Sequence, residues 1–241
     1  MMSRLLASLR RWSRLVALAL RSVAGRRFWI WPLLPGIFPL VIAFFAGLNN
    51  AAVVETQVIR FPLGIPVAIL AIALGVRVIG AEVDARTLEI AYTVPGGAHR
   101  VWLARLVASA ILILAAELFA ALLVYVFLTG FSPSLLYTVF QGAIFHLVLA
   151  AWLGALLRGT ITAAMISAPL LALSVIMGGW LPPVSRFSPL FNHVVWVGGS
   201  IDPSVVLASL VQNRIGYVLA ICAVTLLAFG RAERREKMLS G

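Results

Sequence analysis

The sequence predicts an all-α polytopic membrane protein with six transmembrane helices, and three observations carry that prediction. First, 62% of its 241 residues are apolar and only 11% are charged, against about 25% charged in an ordinary soluble domain. A protein in water rarely exposes an apolar patch larger than a few hundred Å², so a bilayer is the solvent that accepts this chain. Second, the apolar residues fall into six runs near 28–48, 61–80, 102–128, 134–157, 160–181 and 211–230, each near the roughly 20 residues that cross the hydrocarbon as a helix. Third, the charge is lopsided. If both termini lie inside, sixteen of the nineteen basic residues face the cytoplasm and only Arg60, Arg186 and Arg214 face outward. That is the positive-inside pattern, and it predicts a bacterial inner-membrane protein with cytoplasmic N- and C-termini.

Residues 1–27 read as an amphipathic helix. Leu5, Leu9, Trp12, Val16, Leu20 and Val23 recur at three- and four-residue steps, while Arg4, Arg10, Arg11, Arg14 and Arg21 gather opposite them. Such a helix lies in the membrane interface and extends its arginines toward lipid phosphates. A cleaved secretory signal is the competing reading, and Arg21, Arg26 and Arg27 interrupt the continuous apolar core it requires. The basic residues sit at the edges of apolar runs, which points to the lipid bilayer as partner and away from nucleic acid.

Residues 28–230 form a single transmembrane domain on this reading, followed by a basic cytoplasmic tail at 231–241. Pro32, Pro35 and Pro39 predict an irregular start to the first span. Gly130–Pro133 and Arg158-Gly159 mark tight turns after the third and fourth spans. The stretch between the fifth and sixth spans carries Pro182, Pro183, Pro189, Gly198, Gly199 and Pro203 among Phe187, Phe191 and Trp196. Short apolar pieces broken by turn residues predict an external re-entrant hairpin over 182–210, with an aromatic-rich surface loop as the alternative. The single cysteine, Cys222, lies within an apolar run and leaves no intrachain disulfide.

Motifs of soluble enzymes are absent. The only lysine is Lys237, so the chain carries no P-loop. There is no HExxH, no Cys/His cluster of metal-ligand spacing and no Gly-x-Ser-x-Gly. Ionisable groups inside the membrane are costly and therefore candidates. Glu117 falls mid-way along the third span and His146 mid-way along the fourth, with Gln141 nearby. Antiparallel neighbours would bring Glu117 and His146 to similar depth, where a hydrogen bond between them would clamp the helices or serve a substrate or proton path.

The inner connection 82–101, extended to Arg105, reads EVDARTLEIAYTVPGGAHRVWLAR. A helix from Glu82 to Tyr92 would set Glu82, Arg86 and Glu89 on one face, and Pro95-Gly96-Gly97 would end it. A short polar helix on the inner surface is a docking element for a cytoplasmic partner; a solvated charged loop is the alternative.

This segment resembles the hallmark of ABC-2 type transporter permeases, in which Glu-x-x-x-Gly-Thr-Leu-Glu is followed by a proline about six residues on and a basic residue ten further. Glu82, Thr87, Leu88 and Glu89 match, Pro95 falls at the proline, and Arg105 at the basic position; Arg86 stands where the family has glycine. The resemblance implies a cytoplasmic coupling helix between spans two and three that rests on a separately encoded nucleotide-binding ATPase. It also implies a second permease chain, identical or a sister, with ATP and Mg²⁺ bound in the partner and no cofactor, metal or catalytic residue in this chain. Spans two and five would line the path, making Pro66, Gly75, Met165, Ser167 and Met177 pathway candidates, and the external hairpin would gate release of a hydrophobic or amphipathic substrate. The alternatives are a haem-exporter B-type permease of the same superfamily, a membrane-embedded lipid-modifying enzyme using Glu117 and His146, and half of a secondary transporter.

Overall fold

A computed structural model describes residues 2–49, 52–93, 97–179, 184–197 and 201–233, with only the backbone at 2–11, 59–60, 90–91, 184 and 197. Every element among them is helical: α1 (Met2–Ala24), a 3-10 segment Phe28–Gly36 leading into α2 (Ile37–Leu48), α3 (Glu55–Val58) joined by a π-helical turn Ile59–Gly64 to α4 (Ile65–Asp84), α5 (Leu88–Thr93), α6 (Ala98–Phe127), α7 (Ser134–Leu157), α8 (Thr160–Gly179), a 3-10 turn Val184–Phe187, α9 (His193–Val197) and α10 (Pro203–Ala232). Six of these stretches are long and apolar enough to cross a membrane: Phe28–Leu48, Glu55–Asp84, Ala98–Phe127, Ser134–Leu157, Thr160–Gly179 and Pro203–Ala232.

The first span is irregular where its prolines predict it. Pro32 and Pro35 lie inside the 3-10 stretch, and the regular helix begins only at Ile37. Pro62 likewise sits in the π-turn that opens the second span. The fourth span occupies the predicted residues, 134–157. The sixth corrects the prediction. It begins at Pro203 rather than 211, so residues 203–210, which the hydropathy pattern places in the external segment, are the first two turns of α10. Asp202 caps that start by accepting from Ser204 N at 2.7 Å, and a proline at the first helical position costs no hydrogen bond.

The core is the seam between α4 and α7, built from small side chains. Gly75 lies so close to α7 that a Cβ there would stand 2.4 Å from the Leu147 carbonyl oxygen, and Gly154 faces the Val76 carbonyl and Gly80 in turn. In a bilayer, where lipid tails compete with apolar side chains, close backbone approach of this kind is what holds helices together. Gly75 and Pro66 are both buried within this chain. On the fifth span Ser167 is turned inward and donates to its own helix at Ala163 O (2.8 Å), while Met165 is 70% exposed and Met177 is half-buried. The faces of α2, α8 and α10 carry exposed Phe44, Phe45, Ile161, Leu219 and Leu226, as expected of surfaces that meet lipid or another chain.

Helix α1 lies along the start of α6. Its Ala19, flanked by Trp12, Val16 and Leu20, packs on Ala104 and Ala108, and Arg14 and Arg21 are exposed. The helix ends at Gly25, whose φ of +76° suits glycine alone. Arg4, Arg10 and Arg11 belong to the same helix, and their side chains lie outside the described ones.

Candidate functional site

Two clusters of polar groups lie toward the ends of the bundle, with Glu117 and His146 buried between them. The first cluster is organised around the last turn of α4. There the chain stops in a left-handed turn: Thr87 N donates to Glu82 O (2.9 Å), Arg86 N donates to Val83 O (3.1 Å), and Arg86 itself has φ +54°. These two bonds define a Schellman cap, whose left-handed residue is usually glycine. The predicted single helix from Glu82 to Tyr92 is thus two helices at an angle, α4 and α5, and Glu82, Arg86 and Glu89 do not share a face. The reason is local, because the Schellman bonds consume the carbonyls a continuous helix would need.

The residues on either side of the turn have opposite surroundings. Leu88 is 3% exposed and inserts into the main core, while Arg86, Thr87 and Glu89 are exposed. Glu82 is buried instead. Its carboxylate accepts from Arg105 Nη2 at 2.8 Å and from Trp102 Nε1 at 3.1 Å. Arg105 then spreads across three helices, donating also to Val78 O (2.9 Å) and to Ser22 Oγ of α1 (3.1 Å). Trp102, fully buried, stands edge-on to Tyr92 of α5 at 6.2 Å and 6.0 Å from Phe229 of α10. The Tyr92 hydroxyl donates to Ala232 O at the end of α10. One connected group of side chains therefore ties the short helix α5 to α1, α4, α6 and α10. Beside it, Asp84 reaches α8 and accepts from Thr160 N (3.1 Å) and Oγ1 (2.6 Å), and Arg77 donates to Val23 O (3.0 Å) with its guanidinium over Trp31. Pro95 lies outside the described residues.

Within the membrane-spanning region the expected Glu117–His146 bond is not made. His146 Nδ1 pairs with Gly142 O at 2.7 Å one turn back on its own helix, and Nε2 meets Ser174 Oγ of α8 at 3.4 Å. Glu117 faces the backbone of Phe140, and neither carboxyl oxygen has a hydrogen-bond partner among the described residues. Phe140 and His146 are six residues apart, about 9 Å along a helix, so the two groups sit at different depths. Gln141 finds another partner altogether: its Nε2 donates to Arg214 O (2.8 Å) and its Oε1 accepts from Arg214 Nη1 (3.0 Å).

That pairing introduces the opposite, hairpin end. Arg214 also donates to Thr138 Oγ1 and lies over the Tyr137 ring at 4.5 Å. The described part of the 184–197 segment is bound back onto the bundle by side-chain hydrogen bonds to backbone. Ser188 Oγ donates to Ser174 O (2.8 Å), Asn192 Nδ2 to Thr56 O (2.7 Å), and Asn213 Nδ2 to Arg186 O (2.7 Å) and Ser188 O (3.0 Å). Phe191 is fully buried against Trp196. His193 Nε2 meets Ser134 Oγ at 3.2 Å. Burial first, and then the nearby positive Arg214, hold its imidazole below the ordinary histidine range, with Glu55 pulling the other way.

Sequence reasoning misses the Glu82–Arg105–Trp102 cluster and the Arg214–Gln141–Thr138 cluster. The first could be sought from a carboxylate closing one span and an arginine and tryptophan opening the next. The second is hidden because Arg214, at the edge of an apolar run, reads as a connecting-loop residue. No group of three or more His, Cys, Asp or Glu side chains is placed to hold a metal among the described residues. No protein-family model, curated protein or solved structure matches this chain.

Proposed function

We propose that this chain is the membrane-spanning permease subunit of an ABC-2 type exporter of the bacterial inner membrane, driven by a separately encoded ATPase that binds ATP and Mg²⁺. A second permease chain completes the pathway, and the substrate is hydrophobic or amphipathic. One observation carries the reading. Arg86, which stands where the family pattern has glycine, holds the left-handed conformation that glycine favours, with φ +54°. The four-residue sequence match is thereby accompanied by a left-handed turn at the position where the pattern has glycine.

The surroundings of that turn support a relay. Leu88 anchors α5 in the bundle while Glu89 projects outward, free to meet a partner. The Glu82–Arg105–Trp102–Tyr92 group links the same helix to α1 and α10, so a push on α5 from below is carried into an interfacial helix and a membrane span together. Two discrete packings of such a group would be the element that ATP binding biases. The competing lipid-enzyme reading needs Glu117 and His146 to act jointly, and it has less support because His146 is bonded to Gly142 O and Ser174 Oγ and not to Glu117.

The test is purification of the tagged chain from its native membrane in mild detergent after crosslinking. A stoichiometric P-loop ATPase is expected with the wild type and is lost in Glu89→Arg, while Val54→Arg at the opposite end leaves it bound. A preparation without any ATPase would overturn the assignment. Arg86→Gly is expected to keep the ATPase and to raise stability by about 1 kcal/mol, because it relieves a left-handed L-residue.

A further inference from the structure

A cavity at the hairpin end is used neither by the coupling geometry nor by the resemblance. It holds about 360 Å³ between Phe145 of α7, Arg186 and Phe187 of the 3-10 turn, and one side of α10. That volume is at the small end of ligand pockets, room for a headgroup and the first carbons of a chain. Its apolar wall is formed by the Phe145 and Tyr217 rings, edge to face at 5.0 Å, and by Gly216 and Ala220.

Its polar groups are incomplete in a specific way. Arg186 is the one charged residue lining the cavity among the described residues, and no carboxylate does so. The ion pairs among the described residues are Arg105–Glu82 and His99–Glu233, and neither gives Arg186 an acid. Its guanidinium rests 4.8 Å over Phe187, and its buried Nε has no hydrogen-bond partner among the described residues. Asn213, only 6% exposed, supplies the second unmet group. Its Nδ2 is committed to the carbonyls of Arg186 and Ser188, which fixes the amide orientation, and its buried Oδ1 accepts from no described residue. A buried acceptor and a guanidinium donor left without partners both destabilise the free protein, so a ligand that met both would be bound by them. The missing pieces are an anion for Arg186 and a hydroxyl donor for Asn213 Oδ1, carried on a molecule with an apolar portion.

We propose that this cavity binds a phosphate ester that bears a free hydroxyl: the phosphate on Arg186, the hydroxyl donating to Asn213 Oδ1, and the attached chain along Phe145, Gly216 and Ala220. The site opens beside α10, where Phe187 of its own lining and Val205, one turn before Ser209 on the same face of α10, are exposed, so a phospholipid of the adjoining leaflet is the favoured source and a soluble glycerol phosphate the other. The site stands whether or not an ATPase partner exists.

The full chain in phosphatidylcholine nanodiscs doped with photoreactive phosphatidylglycerol provides the test. After illumination the label is expected on 209–220 or on Phe145, and Arg186→Gln lowers it about tenfold while Arg186→Lys retains it. A photoreactive phosphatidylmethanol, equal in charge but without the hydroxyls, labels about threefold less, as expected for one lost neutral hydrogen bond. Competition by millimolar glycerol 1-phosphate would identify the soluble ester as the source; failure to compete identifies the lipid. Equal labelling by a phosphatidylcholine probe would overturn the proposal. So would label at full strength in an Arg186→Gln protein that melts like wild type, or label confined to other parts of the chain.

Discussion

The two ends of this bundle treat their arginines differently. At the end with the α4–α5 turn Arg105 is paired with a carboxylate, Glu82 of α4, at 2.8 Å, and also donates to Val78 O of that helix and to Ser22 Oγ of α1. At the hairpin end the Arg214 guanidinium meets the Gln141 amide, the Thr138 hydroxyl and the Tyr137 ring, that of Arg186 lies over the Phe187 ring, and neither forms an ion pair among the described residues. A buried cation that brings its own anion is complete, and its energy is spent inside the protein. One held only by neutral dipoles keeps a positive field facing outward, where an external anion can meet it. The contrast is what the two proposals expect: an internal mechanical role for the first end and a ligand-facing role for the second.

The largest effect is expected where the pair is broken. Arg105→Leu leaves Glu82 buried without its counter-charge and should cost about 3–5 kcal/mol. Glu82→Leu combined with Arg105→Leu should cost less than Arg105→Leu alone, which a denaturation series in mixed micelles would show. Equal cost for the single and double variants would mean that the pair is no unit. Next in size is Arg214→Leu. It removes charge-assisted hydrogen bonds to Gln141 and Thr138 and strands no opposite charge, so the expected loss is smaller, about 1–3 kcal/mol. A loss as large as that of Arg105→Leu would erase the distinction between the ends.

The smallest effect is one of pH. Because His193 is held below the ordinary histidine value of 6.5, the unfolded chain binds the proton more readily than the folded one. Stability at the hairpin end is therefore at its plateau above pH 6.5 and declines as the pH falls below it, levelling off once the folded imidazole is also protonated. His193→Gln should flatten that slope in thermal melts between about pH 7.5 and 5, spanning the histidine range, and an unchanged slope would assign it to other groups.

Much of this architecture is legible in the sequence, for a physical reason. A spanning helix must satisfy its backbone internally and cover itself with apolar side chains, so runs such as 134–157 announce their own limits. The sixth span reads short because Ser204, Ser209, Gln212, Asn213 and Arg214 lower the hydropathy of its first turns; Asn213 and Arg214 among them are turned to the 184–197 segment and α7 and not to lipid. Asp202-Pro203, a cap followed by a first-turn proline, is the available signal for that start. Pairings across the chain are not legible. Glu82 and Arg105 lie on different helices, and nothing in their spacing declares that the intervening α5 folds back to bring them together. The same holds for Glu117 and His146, where equal depth estimated by counting residues fails because the helix ends are offset.

Both roles require the two ends to lie on opposite sides of the membrane, with α5 inside. Cysteine accessibility measures that directly. With Cys222 replaced by serine, Glu89→Cys in exposed α5 and Val54→Cys in the exposed 52–54 connection are each treated with a membrane-impermeant maleimide in intact spheroplasts. The account predicts labelling of Val54→Cys at once and of Glu89→Cys only after permeabilisation. The reverse order would place α5 outside, beyond the reach of any cytoplasmic ATPase, and would contradict it.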